Sequence, residues 1–414
     1  MNRQTINKSQ TISNNPLLKV PASKSISNRL LILNALSGNK LTIKNLSDSE
    51  DTLLLESLLE KYAHNERQFN CQNAGTVFRF LTAFLSFQSG IFFLTGNSAM
   101  KKRPIHPLVD AIKSIDERIE IIYQEKFGYP PLKIHGTNIN KEIKTTIDSS
   151  ISSQFITALI MAGIRHGITL KIEKEPASLS YIQMTLMLLE KLNIHYQFRD
   201  DTIILPSQKV QEQEIVVEYD WSSAAPWYVL TSTMHKGFSL LINGLQEKSI
   251  QGDKKLSSLF KPLGVQTTYH NDFIKLQKTA HPYIQDLTYD IKDIPDTALY
   301  LLTAYAANKI DLTLTGTYHL RYKESDRIEA MQQELSKLGT KLELLSPDSI
   351  KLHSPISFET KNNITINSHG DHRIAMAFAP LATLIKNLSI SEADTVAKSY
   401  PNFWVELKKC GFYT

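Results

Sequence analysis

Apolar residues in this chain gather into runs whose spacing alternates between helix-like and strand-like. One series of helical runs begins at Ser25, Gly75, Ser152, Ser222, Asp296 and His372, each predicted to last about three to four turns. Four of them close at Gly38, Gly90, Gly167 and Gly237, and two near Asn308 and Asn387, residue types suited to a left-handed cap. A short strand-like run follows each: Leu41–Ile43, Ile91–Leu94, Ile168–Ile172, Phe238–Ile242, Ile310–Leu314 and Leu388–Ile390. A second helical series starts near Glu50, Ile105, Tyr181, Asp253, Asp326 and Ser399. Its later members close alike, on Leu192-Asn193-Ile194, Leu263-Gly264-Val265, Leu338-Gly339-Thr340 and Cys410-Gly411-Phe412.

Successive starts in the second series lie 55, 76, 72, 73 and 73 residues apart. Near-equal spacing predicts an α/β chain of six strand-helix-strand-helix units. Six units in 414 residues exceed one comfortable core, so two domains of three units each are expected. Leu18–Pro21 and Val216–Asp220 are the expected crossing segments, giving an N-terminal domain over 20–220 and a C-terminal domain from 1–19 and 221–414. The short first interval reads as a strand pair missing between Tyr62 and Phe69.

Composition narrows the class. Hydrophobic residues make up 42%, and the net charge of +5 comes without a dense basic tract, which suits small anions better than nucleic acid. Cys71 and Cys410 are far apart, against a disulfide framework. Met1–Asn15 is polar, unlike a signal peptide, and no run of about 18 apolar residues exists. A soluble cytoplasmic protein is expected.

The polar residues that matter stand at helix starts. Lys24-Ser25-Ile26-Ser27-Asn28-Arg29 opens the first helix. Asn73-Ala74-Gly75-Thr76 with Arg79 opens another, where glycine leaves backbone N–H groups open to an anion. Ser152-Ser153-Gln154, Asp296, Lys323-Glu324-Ser325-Asp326-Arg327 and Asp371-His372-Arg373 begin others, Arg103-Pro104 lies just before one, and Lys398 precedes the last. Only eleven residues are arginine against thirty-five lysines, yet five of the eleven (Arg29, Arg79, Arg103, Arg327 and Arg373) occupy these starts. Arginine pairs bidentately with carboxylate and phosphate. Asp296 alone reads as an N-cap more readily than as a base, while Glu324 reads equally as a structural partner for neighbouring cations and as a functional acid. His369 and His372 lack the further ligands a metal needs, and Cys71 reads as buried rather than nucleophilic. No phosphate-loop, dinucleotide or nucleophile-elbow signature is present.

These clusters, in this order and completed by Ile294-Pro295-Asp296 and Lys398-Ser399-Tyr400-Pro401, resemble the 5-enolpyruvylshikimate-3-phosphate synthase family of enolpyruvyl transferases over nearly the whole chain. The resemblance implies two inside-out α/β barrel domains with the active site in the cleft between them. It implies transfer of the enolpyruvyl group of phosphoenolpyruvate to the 5-hydroxyl of shikimate 3-phosphate, with no metal or organic cofactor, no nucleic acid or membrane partner, and a monomer. By resemblance, Lys24, Gly75, Arg103, Arg327, Arg373 and Lys398 surround phosphoenolpyruvate. Ser25, Arg29, Ser152, Ser153, Gln154, Ser178, Tyr181, Asp296 and Lys323 hold shikimate 3-phosphate, Asp296 takes the hydroxyl proton, and Glu324 with Lys24 serves the methylene carbon. Glyphosate competes with phosphoenolpyruvate in this family. The chain departs from the family pattern at His319, usually Asn, and at Gln72 and Phe80, usually Gly and Pro.

Two alternatives stand beside this reading. The related UDP-N-acetylglucosamine enolpyruvyl transferases share the fold but open differently and carry a reactive Cys or Asp in a mobile loop; the segment around Arg103 has no Cys. A non-catalytic anion- or RNA-binding repeat protein would explain the charge, but not Asp296 and Glu324 beside the cations.

Overall fold

Helices whose every face is apolar cannot lie on a surface, and that decides the architecture. In Gly75–Ser86 all residues but Thr76 are buried, in Ser153–Gly163 all but Gln154, and in Ala298–Ala307 all but Ala307. Ala225–Ser232 and His372–Phe378 are buried throughout. Helix Arg327–Lys337 instead buries one stripe through Ile328, Met331 and Leu335. The computed structural model describes residues 2–9, 13–148, 150, 152–176, 178–280, 286–354 and 362–413.

The chain divides into two compact units, one of Met1–Ser23, Asp48–Glu50 and Glu218–Thr414, the other of Lys24–Ser47 and Asp51–Val217. In the second unit, helices Lys24–Ser37, Gly75–Ser86 and Ser153–Gly163 pack on one another. In the first, Ala225–Ser232, Ala298–Ala307 and His372–Phe378 do the same. Each fully buried Leu, Ile or Phe on these helices contributes about 1.5–3 kcal/mol.

Sheets flank these helices, and five of them share one pairing scheme: two parallel strands, then two antiparallel ones. The order Gln68–Asn70, Gly90–Thr95, Leu132–Gly136, Glu120–Tyr123 is an example. Ile143–Ile147, Ile168–Ile172, Thr202–Leu205 and Gln197–Arg199 repeat it. In the first unit Leu17–Lys19 pairs parallel with Ser239–Asn243, and Arg3–Lys8 lies between Leu388–Ser391 and Phe412–Tyr413, so the N-terminal segment completes two sheets of the far end of the chain. The exception is Leu41–Lys44, which pairs only with Gln213–Val216 among the described residues; helix Glu50–Ala63 runs directly into strand Gln68–Asn70. Pro21 and Asp220, and Ser23 and Glu218, are joined by backbone hydrogen bonds.

Several predicted boundaries move, each for a local reason. Ala225–Ser232 lasts about two turns because Thr231, Ser232 and Thr233 turn their hydroxyls onto preceding carbonyls. It is preceded by a 3-10 turn, Ser222–Ala224. After Phe378 the helix tightens into the 3-10 turn Ala379–Thr383, since Pro380 lacks an N–H. The helix predicted from Ser399 starts at Phe403, because Pro401 disfavours helix before it; Lys398 therefore ends the 3-10 segment Ala393–Lys398. The helix predicted near Asp253 is a 3-10 turn, Gly252–Lys255, followed by the short helix Leu256–Leu259. Asn308 is not the left-handed residue; Lys309 is, at φ 59°, while Asn308 turns its amide onto Ala304 O and Ser232 Oγ. Asn387 does take the left-handed conformation, at φ 55°.

Candidate active site

Each unit carries one polar cluster at the starts of its buried helices. In the unit holding Lys24, helix Gly75–Ser86 begins after Ala74 with no side-chain cap. Its first N–H groups and the positive end of its dipole are a place for an anion. A Cβ at Gly75 would stand 2.6 Å from Arg103 Nη1 and 3.2 Å from Arg79 Nη1, so the tip of the Arg103 guanidinium stands close against that backbone. Gln72 reaches φ 48°, a backbone conformation that glycine adopts more readily than glutamine.

Lys24 Nζ donates to Asp51 Oδ2 at 3.0 Å, with both groups largely buried. Arg29 is 2% exposed and spends donors inside the unit: Nε on Thr185 Oγ1, Nη1 on Ser25 O and Nη2 on Tyr181 O. Burial pushes its guanidinium down to about 10, against the pull of Tyr181. Phe80 lies beneath it, 5.7 Å from the ring centroid. Arg79 Nη1 donates to Gln154 Oε1 at 2.6 Å, and Gln154 Nε2 to Thr76 Oγ1 at 3.0 Å. Ser152 caps its helix by accepting Gln154 N; Ser153 is buried. Ser178 is held at φ 63° ahead of helix Leu179–Lys191, whose third residue is Tyr181.

The other unit builds its cluster around Arg327, which is 1% exposed. Its Nη1 donates to Asp296 Oδ1 at 2.8 Å, its Nη2 to Glu324 Oε2 at 3.1 Å and its Nε to Asp371 Oδ2 at 2.8 Å. Arg373 Nη2 donates to Asp296 Oδ2 at 2.8 Å. Lys323 Nζ lies 3.7 Å from Asp296, and Lys398 Nζ 3.6 Å from Glu324. Asp371 both anchors Arg327 and caps its own helix by accepting Arg373 N. Burial would raise the Asp296 carboxyl, but Arg373, Lys323 and Arg327 hold it well below the carboxylate range. Burial likewise works against the Arg327 charge, and Asp371, Glu324 and Asp296 outweigh it. Lys323 is lowered by burial, with Asp296 opposing.

This corrects the reading of Asp296 as an N-cap: the helix caps around it use no side chain, and both carboxyl oxygens accept from guanidinium groups. Asp326, like Asp371, does cap its own helix, accepting Ile328 N and Glu329 N. His319 is buried with Nε2 unpartnered among the described residues; burial first, then Lys323, pushes the imidazole down to about 3. His369 bonds Glu334, and no group of three or more metal-binding side chains exists among the described residues. Cys71 is buried and its thiol is raised by desolvation. Asp51 was not legible as a partner of Lys24, being 27 residues away in a run of acids that reads as helix capping.

The family model for EPSP synthase (3-phosphoshikimate 1-carboxyvinyltransferase) matches residues 8–63 and 54–407. The chain belongs to the EPSP synthase family. It is 36% identical over 398 residues to the 3-phosphoshikimate 1-carboxyvinyltransferase of Bacteroides fragilis (strain YCH46), covering 95% of each chain. It is 34% identical over 416 residues to that of Buchnera aphidicola subsp. Cinara cedri (strain Cc), covering 94% of this chain and 93% of the other. Among solved structures, an EPSP synthase from Acinetobacter baumannii superposes with a TM-score of 0.77 at 20% identity over the whole of both chains. The enolpyruvyl transferase NikO from Streptomyces tendae does so at 0.73 and 11% identity, over 99% of this chain and 98% of the other. The two structures bear on the fold, which is α/β like theirs. The runner-up reading as a UDP-N-acetylglucosamine enolpyruvyl transferase gains nothing from these matches.

Proposed function

We propose that the two polar clusters serve one reaction, each unit supplying part of the ligand set. The chain is a 3-phosphoshikimate 1-carboxyvinyltransferase, transferring the enolpyruvyl group of phosphoenolpyruvate to the 5-hydroxyl of shikimate 3-phosphate and releasing phosphate in the shikimate pathway. The observation that carries the site assignment is the Arg327 hub, which fixes two carboxylates, Asp296 and Glu324, among Lys323, Arg373 and Lys398.

In this reading Lys24, Gly75, Arg103, Arg327, Arg373 and Lys398 hold phosphoenolpyruvate. Ser25 and Arg29 take the shikimate carboxylate; Ser152, Ser153, Ser178 and Lys323 its phosphate; Gln154 and Tyr181 line the ring. Asp296 accepts the 5-hydroxyl proton as that oxygen attacks C2 of phosphoenolpyruvate, and Glu324 with Lys24 delivers a proton to the methylene carbon. Phosphate then leaves, and the same carbon gives its proton back to restore the double bond. An anion arriving at Arg373 and Lys323 competes with Asp296 for them and raises its basicity, so ligand binding itself readies the base.

We read the units as inside-out α/β barrels of three repeats each, and the protein as a cytoplasmic monomer working without metal or organic cofactor. No helix among the described residues is long and apolar enough to cross a membrane. The deciding experiment follows phosphate release from shikimate 3-phosphate plus phosphoenolpyruvate, with the enolpyruvyl product identified by mass. Phosphate release without that product would reject the reading.

A further inference from the structure

We infer that Glu334 is a positioning residue for Arg373: it fixes the turn 368–370, and that turn sets where Asp371 and Arg373 stand. The inference rests on the reading of Arg373 as a phosphoenolpyruvate ligand. Helix Arg327–Lys337 carries Arg327 at its first position and Glu334 seven residues on, each 1% exposed. Seven residues are close to two full turns, so both side chains lie on one face, about 10 Å apart along the axis. Arg327 Nε donates to Asp371 Oδ2 at 2.8 Å. Glu334 grips the residues just before Asp371, so one helix face holds this segment at two points.

Glu334 Oε2 accepts Asn367 N at 3.0 Å and also Lys337 Nζ. Its Oε1 lies 2.9 Å from His369 Nε2, whose ring N–H donates to the carboxylate. Burial works against the Glu334 charge, and the three donors outweigh it, holding the carboxyl below its ordinary value. The turn needs such a grip. His369 stands at φ 52° and Gly370 at φ 68°, two consecutive left-handed residues, and only glycine takes that conformation freely. From the other side Glu392 Oε2 accepts Gly370 N at 3.0 Å and Ser368 Oγ at 3.3 Å. Beyond the turn, Asp371 N donates to Ser368 O at 2.9 Å and Arg373 N to Asp371 Oδ1 at 2.9 Å. Arg373 Nη2 then reaches Asp296 Oδ2 at 2.8 Å. The turn is thus the link between a carboxylate that touches no ligand and the guanidinium that does. With Glu334 neutral or His369 shortened, the left-handed pair relaxes and carries the start of helix His372–Phe378 with it.

Glu334→Gln keeps the volume but removes the charge and one acceptor oxygen. His369→Asn tolerates positive φ but is too short to reach Glu334, whereas His369→Gln restores a donor near the place of Nε2. Hydrogen exchange of the full chain without substrates, resolved to single amides, is the first arm. Asp371 N and Arg373 N should exchange at least about tenfold faster in Glu334→Gln and His369→Asn, and return to within about threefold of wild type in His369→Gln. Strand Leu312–Thr315, in another sheet, should not change. Unaltered exchange at both amides in Glu334→Gln, or equal acceleration in that strand, overturns the inference. The second arm is steady-state kinetics. KM for phosphoenolpyruvate should rise about tenfold in Glu334→Gln and His369→Asn, recover in His369→Gln, and leave KM for shikimate 3-phosphate within about threefold. An unchanged KM for phosphoenolpyruvate, or an equal rise of both KM values, would also overturn it. A wild type inactive toward these substrates would reject the functional reading, and the exchange arm would then decide this inference.

Discussion

Replacing Gly75 by alanine tests the contact between the bare helix start and Arg103. The backbone there is not left-handed and stands at the first position of helix Gly75–Ser86, so alanine fits the local conformation and raises helix propensity by up to about 1 kcal/mol. Folding should survive. The added methyl would sit 2.6 Å from Arg103 Nη1, where ordinary contact begins near 3.4 Å, so the guanidinium must retreat by nearly an ångström. A charge-assisted hydrogen bond to a ligand contributes about 1.5–3 kcal/mol, and displacing its donor by that much forfeits most of it. At about 1.4 kcal/mol per tenfold, affinity for phosphoenolpyruvate should fall by about ten- to one-hundredfold. Glyphosate, longer than the substrate it competes with, needs the same space, so its inhibition constant should rise at least as much. Steady-state kinetics with each ligand varied, beside a denaturation curve, is the assay. If KM for phosphoenolpyruvate and the glyphosate inhibition constant both stay within about threefold of wild type, Gly75 does not line the ligand pocket.

Asp296→Asn and Glu324→Gln each preserve shape while removing a proton-transfer group, and kcat should drop by about 10²-fold or more with smaller changes in KM; near-normal turnover in either would refute its assigned role. Arg327→Met leaves Asp296, Glu324 and Asp371 without their shared buried cation, so unfolding by urea should show a loss of about 3–5 kcal/mol; a loss below about 1 would mean the hub is not structural. The pH dependence of stability should carry two opposite signs. Asp148, buried in part but held down to about 2 by Lys174 and Ser150, binds fewer protons folded than unfolded; its contribution is present above about pH 4 and lost as pH falls toward 2, and Asp148→Asn should flatten that slope. Asp253, raised to about 6, binds more protons folded; stability therefore falls as pH rises from about 4 to 6. Asp253→Asn should be more stable than wild type at neutral pH by about 2 kcal/mol, and equal midpoints at pH 7.5 would contradict the raised carboxyl.

Much of the architecture was legible because helix and strand periods are local. The left-handed closures at Gly38, Asn193, Gly264, Gly339 and Gly411 are where the residue types put them, whereas Gly90, Gly167 and Gly237 take positive φ only at the entry to the next strand, their helices having ended at Ser86, Gly163 and Ser232. The strand runs fall within a residue or two of the observed strands. Failures came where a hydroxyl, an amide or a proline competed with the helix, as at Thr231–Thr233, Asn308 and Pro401, since a period says nothing about such competition. The ordered motifs at helix starts were enough to recognise the family, and the matches to family members agree.

The sequence by itself determined the α/β class, the alternation of elements and the residue types gathered at helix starts, all set by neighbours within a few residues. Only the tertiary structure decided which partner each charge takes. Asp296 reads as a cap in one dimension and proves to be clamped between Arg327, 31 residues away, and Arg373, 77 away. Lys24 finds Asp51, and Arg29 is enclosed by Thr185 and Tyr181. The physical reason is that a charge in a buried site is governed by whatever lies within a few ångströms after folding, and that neighbourhood is assembled by the packing of helices distant in sequence.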